Sequence, residues 1–178
     1  MLNTELRLGW VALFGVPAGR DYDTGWHRDF GHEERDGSEA VEMEILSRLR
    51  KNLVKWHMAL VYDACLWLIP GSHRRFRTER EREALINDRL ADLPGAHQIV
   101  LHKGQTVFWN GNTIHRGSLP AGSTERLTLM GALVKHQEDD PMEELEGRFR
   151  WRMADNIRDR LPPATQLFYD RWRGLQQV

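Results

Sequence analysis

Cysteine is almost missing from this chain of 178 residues. The single copy, Cys65, stands in the apolar run Ala64-Cys65-Leu66-Trp67-Leu68-Ile69, which excludes a disulfide scaffold and a thiolate zinc cage and fits a reducing, cytoplasmic setting. An excess of one charge is missing too. With 25 basic residues against 26 acidic, no global field recommends a nucleic acid or an anionic membrane as partner. No apolar run approaches the ~20 residues of a membrane helix, and no basic segment followed by an apolar one opens the chain. Repeats and low-complexity tracts are also lacking. These absences and the length predict a soluble protein of one domain, spanning 1–178, long enough to bury a sizeable core.

Most of what is present reads as strand. Residues 5–16 form an apolar stretch closed by Pro17-Ala18-Gly19, predicting a buried strand or two short ones. Residues 53–62 and 65–69 are rich in β-formers, the second ended by Pro70-Gly71, and residues 106–109 and 126–134 complete the set. Between them, Ser38 is a plausible N-cap for a helix carrying Val41, Ile45, Leu46 and Leu49, with Arg48, Arg50 and Lys51 gathered near its end. The charged segment 74–89 has the composition of a solvated helix or an ordered surface loop. After Asp139-Asp140-Pro141 the pattern changes. Met142, Leu145, Phe149, Met153 and Ile157 recur at spacings of three and four, predicting an amphipathic helix stopped by Pro162-Pro163, and a last helix covers 164–176. A β core over about 5–136 with C-terminal helices over about 139–178 is the expected layout.

The chemistry-bearing stretch is Gly25-Trp26-His27-Arg28-Asp29-Phe30. On an extended backbone residues i and i+2 share a face, so His27 and Asp29 can converge while Arg28 points away. His115, in Asn112-Thr113-Ile114-His115-Arg116-Gly117, offers a third ligand. Two histidines and one carboxylate form a facial set that leaves coordination positions open and suits non-haem Fe(II) oxygenases. Arg126 begins the strand after His115. If those two strands pair, its guanidinium enters the same cavity and can grip a carboxylate bidentately. Trp26, Phe30 and Trp109 are candidate cavity-lining residues, His57 a structural or substrate-side residue, and His73 a turn residue.

Trp26-His27-Arg28-Asp29, Trp56-His57-Met58-Ala59-Leu60, Leu68-Ile69-Pro70-Gly71-Ser72-His73, His115-Arg116-Gly117 and Arg126 together resemble the phytanoyl-CoA dioxygenase family of Fe(II)- and 2-oxoglutarate-dependent oxygenases. The resemblance runs from about residue 25 to 134. It implies a mainly β fold with flanking helices, a double-stranded β-helix or jelly roll. It implies Fe(II) on His27, Asp29 and His115, the 2-oxoglutarate C5 carboxylate on Arg126, a co-substrate contact from Trp56, and O2 as oxidant. The activity implied is hydroxylation of a small metabolite with release of succinate and CO2. Asp29 stands where halogenases of this type have a small residue, which favours hydroxylation. Members of the family carry a longer region before the His-x-Asp pair. Its shortness here makes a homodimer, or a lid built from 74–89, an attractive way to close the cavity. The other class of protein compatible with such a barrel is a cupin-like metal-binding protein or isomerase without O2 chemistry.

Overall fold

A computed structural model describes residues 5–29, 38–48, 53–119, 122, 125–137 and 139–177. Eight strands form two four-stranded sheets: β1 (Leu6–Val16), β2 (Tyr22–Asp23), β3 (Leu53–Ala59), β4 (Asp63–Leu68), β5 (His97–Leu101), β6 (Thr106–Asn110), β7 (His115–Leu119) and β8 (Arg126–Lys135). The order is β1-β8-β3-β6 in one sheet and β2-β7-β4-β5 in the other. Consecutive strands thus change sheet at every step except β4 to β5, which pair with each other, the wiring of a jelly roll. β5 is not announced by the sequence pattern, although Ile99-Val100-Leu101 is a β-forming run. His97 and Gln98 before it are exposed and hide its alternation.

The helices are short. Helix α1 (Glu39–Ser47) starts as expected, with the Ser38 Oγ accepting from the Val41 N–H. Its buried face differs from the expected one: Val41 is exposed, and Glu42 is fully buried beside Ile45 and Leu46. Leu49, Arg50 and Lys51 lie outside the described residues. Helix α2 (Glu79–Ile86) begins at a capping box, Thr78 and Glu81 each bonding the other's backbone N–H. The charged segment is therefore not merely surface. Ala84 and Leu85 enter the main apolar core with Trp26, Ile69, Leu93 and Ile114, because two apolar residues among the charges suffice to seat one face.

By contacts the chain divides into two compact units, residues 1–10 with 132–178, and residues 11–131. In the first, the expected amphipathic helix from Asp139 does not form. Its place is taken by a two-residue strand β9 (Glu143–Glu144), a 3-10 segment over Gly147–Met153 and a single α-helical stretch, α3 (Asp155–Arg160). Glu143 and Glu144 pair in parallel with β10 (Gln176–Gln177), which pulls the backbone out of helical geometry. Gly147 adds a poor helix former to the middle of the stripe. Helix α4 (Pro163–Arg173) is close to expectation, with proline in its first turn and Tyr169 and Trp172 buried.

Candidate metal centre

The second unit holds every residue of the site. Its construction starts at one backbone rung. His27 and His115 exchange both main-chain hydrogen bonds, 2.9 and 3.0 Å, as an isolated antiparallel bridge. That rung puts the two imidazole rings 4.3 Å apart between centroids. His27 and Asp29 thus converge although the segment is no regular strand. Gly25 turns the chain into the rung at φ +65°, and a side chain there would meet the Arg89 Cβ at 2.6 Å.

The Pro70-Gly71-Ser72 turn ties the two ligand-bearing segments together. Ser72, fully buried, donates from Oγ to the Ile69 carbonyl and accepts there from the Ile114 N–H, both at 2.8 Å, one residue before His115. From the other side Arg28, pointing away from the site as expected, donates to the Ser72 carbonyl at 2.8 Å. Its guanidinium also pairs with Glu42, whose second oxygen lies 3.2 Å from Arg77. A buried Arg-Glu-Arg cluster therefore clamps α1, the turn and the His-x-Asp segment into one piece.

The donor set suits a metal. The ligand atoms of His27, Asp29 and His115 all lie within 4.8 Å of one another. The Nδ1 atoms of His27 and His115 face the carbonyls of Gly25 and Thr113, at 2.8 and 2.7 Å. A carbonyl can only accept, so both Nδ1 atoms carry hydrogen and both Nε2 lone pairs face the site. Burial lowers the pKa of His27 and lowers that of His115 well below the ordinary imidazole value, and the Lys55 ammonium adds to both shifts. Asp29 fits because residue 111 is glycine: a Cβ there would stand 2.9 Å from the Asp29 Oδ2 and 2.6 Å from Leu53.

A cavity of about 110 Å³ opens onto this set, lined among others by Lys55, His57, Trp109, His115, Arg126 and Tyr22. That is small beside the roughly 300–1,000 Å³ of sites for drug-sized ligands, and matches a short acid. Arg126 reaches it by an unexpected route. β7 and β8 belong to opposite sheets rather than pairing, so the guanidinium enters across the sandwich. It packs against the rings of Phe14 and Tyr22, and its Nε donates to Asp63 at 3.0 Å. Asp63 also meets the His57 Nε2 at 3.0 Å and accepts from the Cys65 N–H at 2.7 Å. Burial alone would raise the Asp63 carboxyl; these three partners outweigh it and hold the pKa at about 2.

Trp56 does not line the cavity. β3 alternates, turning Lys55, His57 and Ala59 inward and Trp56 outward, opposite exposed Phe108. The inward neighbours Lys55 and His57 occupy the wall where the family resemblance puts Trp56. Trp26 is likewise core, 1% exposed, with its indole N–H on the Ala91 carbonyl. Trp109 does line the cavity, and Phe30 lies outside the described residues. His73 sits in the expected turn, a 3-10 segment over Ser72–Arg74. Lys55 and Asp63 are the functional candidates that the sequence did not disclose. A lone lysine in a strand and an aspartate at a hairpin carry no motif, and only the inward parity of β3 hinted at the first.

Residues 10–124 match the phytanoyl-CoA dioxygenase (PhyH) family, and the chain belongs to it. Solved structures agree on the fold. EctD from S. alaskensis, solved with 2-oxoglutarate and 5-hydroxyectoine, aligns with a TM-score of 0.55 at 17% identity, over 76% of this chain and 46% of its own. EvdMO1 aligns at 0.54 and 14% identity, over 75% and 28%. The nickel complex of ThoJ, a non-heme monooxygenase, aligns at 0.50 and 14% identity, over 78% and 49%. The chain thus spans about half the length of these proteins or less. A comparison with curated proteins gives no match.

Proposed function

We propose that this protein is an Fe(II)- and 2-oxoglutarate-dependent oxygenase that hydroxylates a small organic substrate. The observation that carries the reading is the convergence of ligand atoms from His27, Asp29 and His115 beside a cavity that the two histidines line together with Arg126. His27, Asp29 and His115 would hold Fe(II), and the bound iron would supply O2 activation coupled to decarboxylation of 2-oxoglutarate to succinate and CO2. The chain's own groups do the rest. The Gly25 and Thr113 carbonyls fix the tautomers of the two histidines. Arg126, steadied by Asp63 through Nε and by a hydrogen bond with Tyr22, would grip the distal carboxylate of the co-substrate. Trp109 and Leu66 make the wall apolar and limit water around the metal. The solved EctD with 2-oxoglutarate and its iron-bound form support this reading by likeness of fold. Asp29, by filling the third protein position, favours hydroxylation over halide transfer.

Anaerobic titration with Fe(II) and 2-oxoglutarate tests the assignment. A weak visible charge-transfer band is expected in the wild type and is expected to disappear in Arg126→Ala and His115→Ala. Absence of both the band and Fe(II) binding in the wild type would reject the oxygenase. Fe(II) binding without the band would leave a metal-binding barrel of another chemistry. Succinate release measured across small amino acids, acyl conjugates and polyketide-like metabolites would identify the substrate class.

A further inference from the structure

Lys55 lies where no motif placed a cation. Its Nζ is 3.1 and 3.3 Å from the two carboxylate oxygens of Asp29 and 3.4 Å from the His115 Nε2. It donates to the same lone pairs that the metal set offers. Strand register explains how it gets there: Lys55 stands opposite Trp109 across β3 and β6, and its ammonium lies 5.4 Å from the centre of the Trp109 ring. The side chain is 11% exposed, so solvent screens it little. A divalent ion and an ammonium cannot share those lone pairs, because each bond to one consumes the donor the other needs and the two cations repel.

Charge in the cavity leads to the same place. Lys55 and Arg126 line it with two positive charges, and their ion-pair partners Asp29 and Asp63 add two negative ones. A divalent metal brings two more positive charges, which a dicarboxylate neutralises. Arg126 is already bonded to Asp63, so one of the two cations is partly committed.

We infer that Lys55 is an exchangeable counter-ion of the site: it holds Asp29 and His115 in the metal-free protein, yields them to the divalent metal, and then binds a carboxylate of the anionic co-substrate. This rests on the oxygenase reading for the identity of the dicarboxylate. The lysine competes with the metal and assists the acid, so its removal has opposite effects on the two ligands.

Calorimetric titrations with Mn²⁺, which binds such a set without O2 chemistry, and then with 2-oxoglutarate on the Mn²⁺-loaded protein test this. In Lys55→Met, which keeps the aliphatic length over Trp109, Mn²⁺ is expected to bind about 5- to 10-fold tighter and 2-oxoglutarate about 10-fold weaker. Lys55→Arg should hold 2-oxoglutarate within about 3-fold of wild type, because a cation is kept. Lys55→Gln, also uncharged, should repeat the methionine pattern and guards against a folding defect of the first variant. Both affinities unchanged, or both moved in the same direction, would overturn the inference while leaving the oxygenase intact. Wild-type Mn²⁺ binding that is indifferent to His115→Ala would overturn the oxygenase reading and the inference with it.

Discussion

Gly111 and Asp63 each set a condition on the site from beside it. At 111 the missing side chain is the room in which the Asp29 carboxylate lies. Gly111→Ala should cost about 1–3 kcal/mol in chemical denaturation through overpacking, and should weaken metal binding by roughly 10- to 100-fold as Asp29 is pushed aside. Asp63 acts through charge. Its carboxyl is held at about 2 in the folded protein, against an ordinary value of ~3.9 in the unfolded chain. A depressed carboxylate stabilises the fold above the unfolded value, and the contribution is lost as pH falls from about 4 to 2. Denaturation midpoints across that window should fall less steeply in Asp63→Asn than in the wild type. The same variant should weaken 2-oxoglutarate binding, since Arg126 loses the group that steadies it.

Among the elements, the Pro-Gly-Ser turn and α1 carry the most consequence. Ser72 satisfies the Ile114 N–H in a place that water does not reach. Ser72→Ala leaves that donor unpaired and should cost about 1–3 kcal/mol, measured by urea denaturation. Glu42 sits between Arg28 and Arg77 with no exposed side-chain surface, and its removal takes the shared carboxylate from two buried cations. Glu42→Ala should cost about 3–5 kcal/mol and lower metal affinity too, because Arg28 is flanked by His27 and Asp29. The sequence showed α1 by its cap and the turn by its Pro-Gly pair, but hid why either matters. Helical periodicity finds apolar faces, and the residue that anchors α1 is a glutamate. The stripe from Met142 to Ile157 shows the opposite failure: its period was right for a helix, yet strand pairing with residues 176–177 decided the backbone.

At the scale of the molecule, the family and the jelly roll were legible because their marks are local: His27-x-Asp29, His115 and the Ile-Pro-Gly-Ser-His turn each lie within a few residues. The wiring of β7 and β8 was not, since a loop between consecutive strands can close a hairpin or cross to the facing sheet without changing composition. Lys55 and Asp63 stayed hidden for a related reason, as their roles exist only after distant strands meet. Ligand binding should be visible in the stability of the whole. Mn²⁺ with 2-oxoglutarate at about 100 times the apparent Kd should add about 2.7 kcal/mol, a rise in Tm of roughly 5–10 °C for a chain of this size. His115→Ala should abolish that rise in a thermal melt.

The rung between His27 and His115 has one more consequence, which concerns preparation and recovery of the protein. The candidate ligands His27 and His115, brought from distant parts of the chain, are fastened by main-chain bonds that involve no metal and no side chain. Stripping the ion with a chelator therefore leaves the seat built. Protein purified without metal should take up a divalent ion in a single mixing step, with no refolding and no chaperone, and the same scaffold should accept several such ions for spectroscopy.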